Sequence, residues 1–363
     1  MRLALRELRR QPGRFAVATV VLVFLSVLLL LLGGLLDGLY LGSTGAIRAQ
    51  PADAIVYSST ARDSFLRSRI DGVVRTQVEQ VPGVAAVGGL GFTLLGATVP
   101  GEDDLADVAV SGYELAPQGV PDPPPPGHAW ADRRLEGSGV SVGDTLMVGP
   151  AATPVVVDGW VEDVSYLLQA GLWVDLPTWR EVQNANRPDA FVPDDVVQVL
   201  VVQGAGELPG AIDASTGGAT ATLTRDEAVS ALPGVREQTS TFNAIIGSTL
   251  VVVLAVVGLF FSLLTLERTA LYGVLKAIGS STGRLFTGIV LQAVIVAAVA
   301  FAIGSGLTAV AAVALPGGVP LQLTLGRFVF TFVALIVAAV LGSAISLRRV
   351  TRIDPASAIG SSS

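Results

Sequence analysis

The chain has 363 residues, 51% of them hydrophobic and 15% charged, with mean hydropathy +0.63 and formal net charge −7. Cysteine is absent and histidine occurs once, so disulfides and His/Cys zinc sites are excluded by count. The negative charge, which falls in the polar insert of residues 37–243, makes that insert a poor candidate for nucleic acid, where a basic stripe would be expected.

Residues 1–14, MRLALRELRRQPGR, read as a short cytoplasmic amphipathic helix. Leu5 and Leu8 share one face, Arg2, Arg6, Arg9 and Arg10 spread over the other, and Pro12-Gly13 breaks the pattern. Such a segment can lie on the inner headgroup surface of a lipid bilayer. An apolar run, residues 15–36, follows. It exceeds the roughly 7–15 residues of a signal-peptide core and has no small-x-small cleavage site after it, so a retained first span is expected.

Residues 37–243 form a polar insert, expected to be an α+β domain outside the membrane. Residues 61–81 carry Phe65, Leu66, Ile70, Val73, Val74 and Val78 at helical spacing, and Pro82-Gly83 stops the pattern. Strands are expected at 84–87 and 92–99. The run Pro121 to Gly127 (PDPPPPG) is polyproline material and marks a boundary between two subdomains. Further strands are expected at 145–148, 155–161, 172–176 and 196–202, with turn chemistry at Gly143-Asp144 and Asp158-Gly159. Thr224 with Glu227 is a capping box opening a helix that ends at Pro233-Gly234. VEQVPGV (78–84) and VSALPGV (229–235) echo one another, which suits one subdomain built from both ends of the insert. Trp160, Tyr166, Trp173 and Trp179 read as core aromatics.

Three more spans are expected at 245–266, 285–315 and 328–347, joined by an inner segment 267–284 and a short outer loop 316–327, with a tail at 348–363. All four apolar runs reach the length a bilayer core demands of a helix. Charge sorts with this order. Segments 1–14, 267–284 and 348–363 hold 11 basic residues against three acidic ones, whereas the insert holds 11 arginines against 27 Asp and Glu. Both termini are therefore expected in the cytoplasm and residues 37–243 outside. The spans hold almost no charge. Gly304-Ser305-Gly306 with Ala297, Ala298, Ala300 and Ala302 suits close helix packing, and a body-like bundle fits better than a polar channel.

Glu267 to Gly279, ERTALYGVLKAIG, places Leu271, Val274, Leu275 and Ile278 on one helical stripe, with Gly279 as a C-terminal cap. The only lysine, Lys276, follows Val274-Leu275, so no phosphate-binding P-loop exists in the chain. His128 reads as a solvated loop residue, and Glu102-Asp103-Asp104 with Asp107 as a solvated loop without calcium-loop spacing. No nucleophile has a base beside it, so an enzyme is not expected.

The layout and several short patches resemble permeases of the MacB/FtsX/LolC type. The patches are Glu267-Arg268, LKAIG (275–279), GVSVGDTLMVG (139–149), the Pro-Gly-Val turns, and SLRRVTRIDPASAI (346–359) with Asp354, Pro355 and Ala358. The family often has a glutamate in the third span where this chain has Gln292. The resemblance implies the permease subunit of an ATP-binding-cassette system, with ATP and Mg on a separate ATPase subunit, no cofactor of its own and a second permease copy in a dimer. Glu267, Arg268, Leu271, Tyr272, Leu275, Lys276 and Gly279 would form the ATPase-coupling helix, and Gly304 and Gly306 would pack spans. Export or extraction of a hydrophobic or extracellular substrate is the implied function. The alternative is an FtsX-like regulator or scaffold that activates an outside partner, such as an adaptor or a cell-wall hydrolase, without cargo.

Overall fold

The computed structural model describes residues 12–102, 104–267, 278, 281–315 and 319–351. The chain divides into two compact units, Met1–Gly38 with Ser240–Ser363, and Leu39–Thr239. The dividing point falls inside helix α1.

The first unit is helical. Its elements are α1 (Pro12–Arg48), α6 (Val235–Glu267), α7 (Thr282–Ala314) and α8 (Leu325–Thr351). All four are long and apolar enough to cross a membrane. At 1.5 Å per residue, α1 reaches about 55 Å and α6 about 50 Å, well beyond a hydrocarbon core of roughly 30 Å. The helices therefore outrun the apolar stretches, because hydropathy marks only the part lipid would cover. Pro12 and Gly13 stand at the start of α1, where proline's missing N–H costs nothing, and the amphipathic segment expected before them lies outside the described residues.

The unit's core joins Leu22 and Leu29 of α1, Val253, Val257 and Phe261 of α6, Ala293, Val296, Ala297 and Ala300 of α7, and Leu335 and Ala339 of α8. Small side chains on α7 let backbones come close, the usual route to helix association where lipid removes the hydrophobic drive. The packed face differs from the expected one: Ala302 is exposed, since it lies off the stripe of Ala293, Ala297, Ala300 and Gly304.

The second unit is α+β, with α2 (Gly72–Glu79), α3 (Leu176–Asn186), α4 (Leu208–Ser215) and α5 (Arg225–Ala231). Its strands are β1 (Ala54–Ser58), β2 (Val84–Thr98), β3 (Leu105–Tyr113), β4 (His128–Asp132), β5 (Thr145–Val148), β6 (Thr153–Val161), β7 (Ala170–Asp175), β8 (Val199–Gly204) and β9 (Thr220–Leu223). They form one sheet in the order β3-β7-β4-β6-β5-β2-β8-β1-β9, and an added β2–β3 pairing closes the first six into a ring. The remaining part, β2-β8-β1-β9, is antiparallel throughout. With α2 between β1 and β2 and α4 between β8 and β9, it is a pair of split β–α–β units of the ferredoxin-like kind. The ring is inserted between its second and third strands. Both ends of the unit thus meet in one sheet, whereas the Pro-rich segment 121–127 merely links β3 to β4 within it. Tyr113 Oη donates to Pro121 O (2.7 Å) and Trp130 Nε1 to Asp122 O (3.1 Å), pinning that link.

Several local expectations change. The helix expected over 61–81 forms only at Gly72–Glu79, capped by Asp71, whose carboxylate accepts from Val73 and Val74 N–H. Arg62 and Asp63 take positive φ, and Ile70 bridges to Val197, which ends any earlier helix. Strands 84–87 and 92–99 are one strand, β2. The glycines between them supply space, not a turn: a Cβ at Gly91 would enter the Trp179 ring. Asp158-Gly159 is also no turn. Ala129 pairs with Val157 and Trp130 with Gly159, leaving Asp158 as the extra residue of a bulge inside β6.

Candidate functional site

Of the residues expected to couple to an ATPase, Glu267 ends α6. Arg268, Leu271, Tyr272, Leu275, Lys276 and Gly279 lie outside the described residues, as do residues 1–11 and 352–363. Gly304 sits against α1, where an added Cβ would meet Ser26 Oγ at 2.7 Å and Val23 O at 3.3 Å. Gly306, two positions on, faces open space, because a two-residue step turns to the far side of a helix. Gln292 is buried in α7.

A charged pair that the sequence reading passed over lies in the helical unit. Asp37, just past the apolar run of α1, holds the guanidinium of Arg327 in the first turn of α8, with Nε 3.2 Å from Oδ2. Thr324 Oγ1 donates to the same carboxylate at 2.9 Å and accepts from Arg327 N–H at 3.2 Å, so one residue caps the helix and completes the pair. The side chains are only 19% and 16% exposed. The glycines of α1 make the approach possible: Gly33 lies under the Arg327 side chain and Gly38 under the Pro320 carbonyl, while Gln322 N–H donates to Gly34 O at 3.0 Å. Two signals were readable, the Gly33-Gly34-x-x-x-Gly38 spacing and Arg327 as the sole charge in segment 316–327.

In the α+β unit, the loop between β6 and β7 binds the last turns of α1. Ala46 N–H donates to Ser165 O (2.9 Å), while Leu167 and Leu168 N–H donate to Ser43 O (3.1 Å) and Gly42 O (3.0 Å). Asp163, Leu167 and Leu168 hold φ of 57°, 50° and 70°, a left-handed region that side chains disfavour. Gly45 admits the Asp163 carbonyl, which a Cβ would collide with. Beneath the loop, Asp132 is 2% exposed and accepts from Arg134 N–H at 3.0 Å through Oδ1. Burial pushes its pKa above the ordinary carboxylate value. Beside this joint opens a cleft of about 720 Å³ whose charged lining, including Arg48, Glu162, Asp163, Arg225 and Asp226, is exposed and of mixed sign.

His128 is not a solvated loop residue. It opens β4, and its Nδ1 lies 2.7 Å from Oδ1 of the bulged Asp158. Trp173, Trp179 and Tyr166 are core, with Tyr166 stacked on Phe92 at 4.2 Å. Of the acidic cluster, Asp103 lies outside the described residues, and no group of three potential metal ligands occurs among the described ones.

Residues 243–355, covering α7, α8 and most of α6, match the family model described as FtsX-like permease C-terminal. An uncharacterized ABC transporter permease of Mycobacterium tuberculosis is 27% identical over 98% of both chains. The chain is thus similar to ABC-type permeases of the FtsX kind, over its C-terminal third by the family model and over nearly its whole length by this relative. That likeness, with four helices long and apolar enough to cross a bilayer, makes it a multi-pass membrane protein. The "Putative hemin transport system permease protein HrtB" of Staphylococcus epidermidis is 26% identical over 38% of this chain, an alignment spanning 40% of that relative's length. Two solved structures are also similar. The periplasmic region of MacB from Actinobacillus actinomycetemcomitans has 13% identity and a TM-score of 0.34, covering 50% of this chain and 92% of that one. The extracellular domain of the noncanonic ABC-type transporter YknZ from Gram-positive bacteria has 12% identity and a TM-score of 0.32, covering 48% and 100%.

Proposed function

We propose that this permease works with a separate ATPase subunit, as a dimer carrying two ATPase copies, to export or extract a hydrophobic or extracellular substrate. The observation that carries the reading is the end-to-end likeness to a mycobacterial ABC transporter permease, 98% of each chain. In this scheme ATP and Mg reside on the partner, and the chain itself is neither an enzyme nor a cofactor carrier. Both termini and the segment from Glu267 to Gly279 face the cytosol, and residues 37–243 lie outside. Closure of the ATPase pair pushes on Glu267, Arg268, Leu271, Tyr272, Leu275, Lys276 and Gly279, and the push passes through the spans to the outer domain. The length of α1, which supplies residues to both units, suits such transmission.

The test is ATP turnover in the co-purified complex. Leu275→Arg with Lys276→Glu should lower turnover several-fold while the ATPase still co-purifies; unchanged turnover removes the coupling role. Efflux assays, with hemin as one hydrophobic compound, test the transport half. ATP-dependent activation of an outside partner without efflux of any compound would replace export by signalling.

A further inference from the structure

The flank of β2 has a gap. It pairs with β8 only as far as Leu90 and with β5 only at Ala97 and Thr98, so residues 91–96 have no strand on that side. Gln198 substitutes for one: its Oε1 accepts from Phe92 N–H at 2.7 Å and its Nε2 donates to Phe92 O at 2.9 Å. Helix α3 covers part of the rest, with Gln183 accepting from Thr93 Oγ1 at 2.6 Å and donating to Ala190 O at 3.1 Å. A cavity of about 140 Å³ remains, with Leu66, Phe92, Leu94 and Ala190 as its apolar walls and Arg69 and Arg187 at its polar side.

These arginines are unlike Arg75 and Arg327, which hold carboxylates. Arg69 donates to Leu66 O (3.1 Å) and Ser68 O (2.7 Å), and Arg187 reaches Leu94 O at 3.5 Å. Neither has an ion-pair partner among the described residues. A guanidinium offers five N–H donors, so both keep donors in reserve. Burial lowers the Arg69 pKa, the mark of a half-buried cation with no counter-ion beside it.

We propose that this cavity binds a carboxylate carried on a short aliphatic group. Guanidinium matches carboxylate in charge and fork geometry, and the apolar walls accept the tail. The volume equals roughly five water-sized groups, enough for a four-carbon acid or the last residue of a peptide. The assignment goes beyond the proposed function and stands whether or not the chain works with an ATPase.

The experiment uses the full chain in lipid nanodiscs. The probes are butyrate, n-butylamine, and acetyl-Ala-Val with a free or an amidated end. Saturation-transfer NMR reads the probe methyls, and tryptophan fluorescence reads Trp179, whose Nε1 donates to Thr93 Oγ1 at 3.0 Å beside the cavity. Saturable binding is expected for a carboxylate probe and none for the amine or amide. Preference for the peptide assigns the natural source to a chain end; preference for butyrate assigns it to a free acid. Arg187→Gln and Arg69→Gln should each weaken binding at least tenfold. The exposed Arg187 makes the cleaner variant, because its melting temperature should match that of the parent. Equal binding of butylamine, no binding of either carboxylate, or unchanged binding in both arginine variants would overturn the proposal.

Discussion

Asp37 of α1 and Arg327 of α8 hold one another across helices nearly three hundred residues apart in sequence, with Thr324 donating to the same carboxylate. Taking away one partner of a poorly exposed pair strands the other charge. Arg327→Ala should therefore cost about 3–5 kcal/mol, seen as a lower midpoint of thermal unfolding in detergent. Asp37→Asn with Arg327→Gln, which keeps hydrogen bonding and removes both charges, should recover most of that loss. A double variant no better than the single one would show that the charges are not coupled.

Gly91 and Gly112 lie directly under Trp179, where any Cβ would overlap the side chain. Gly112→Ala should destabilise the α+β unit by about 1–3 kcal/mol, because a packed core resists added volume. Pairing Gly91→Ala with Trp179→Phe should soften the effect of the first change. Intrinsic tryptophan emission and the melting midpoint both report it.

The Thr224–Glu227 capping box predicts a pH response. Hydrogen bonds from Thr224 N–H and Oγ1 favour the carboxylate and depress the Glu227 pKa below its ordinary value of 4.5. A depressed pKa means that the stabilisation is present above 4.5 and fades as pH falls through the lower folded-state value. Amide-exchange protection factors in residues 225–231, taken against the intrinsic rate at each pH, should therefore fall on acidification, and Glu227→Ala should abolish that dependence.

Asp132 has the opposite sign. Its folded-state pKa is raised, so the folded chain binds the proton more readily, and stability contributed by this site increases as pH falls through that value. Asp132→Asn keeps an oxygen for Arg134 N–H and removes the buried charge. The variant should melt higher than the parent near neutral pH, and the difference should shrink in acid. A lower melting point at every pH would contradict this.

The four spans were legible because lipid imposes a length and forbids charge, and both constraints are written into single segments. The capping box was legible for the same reason, since Thr224 and Glu227 settle it between themselves. The Pro-Gly-Val echo also proved local: Val81 N–H donates to Val78 O and Val84 N–H to Val81 O, and Leu232, Val229 and Val235 repeat the pattern. After the turn the copies part, one entering β2 and the other α6. What misled was glycine. Gly88, Gly89 and Gly91 look like a break until Leu115, Val197 and Trp179 are seen to occupy the space. Asp158-Gly159 looks like a hairpin turn until Trp130 is found against Gly159. At the candidate site, helical periodicity gave only the apolar stripe of residues 267–279 and its coupling role came from the family resemblance, while the Asp37–Arg327 pair depends on two distant segments that no local pattern connects.

The pairing of β1 with β8 and β9 has a consequence for biogenesis. Ile55 lies opposite Val201 on one side and Leu223 on the other. As the polypeptide leaves the ribosome, the strand after α1 emerges long before either neighbour has been made. Until then its edges stay open, a hazard for strands that wait on distant partners. A nascent chain halted before residue 199 should thus recruit holdase chaperones, and one released beyond residue 223 should not.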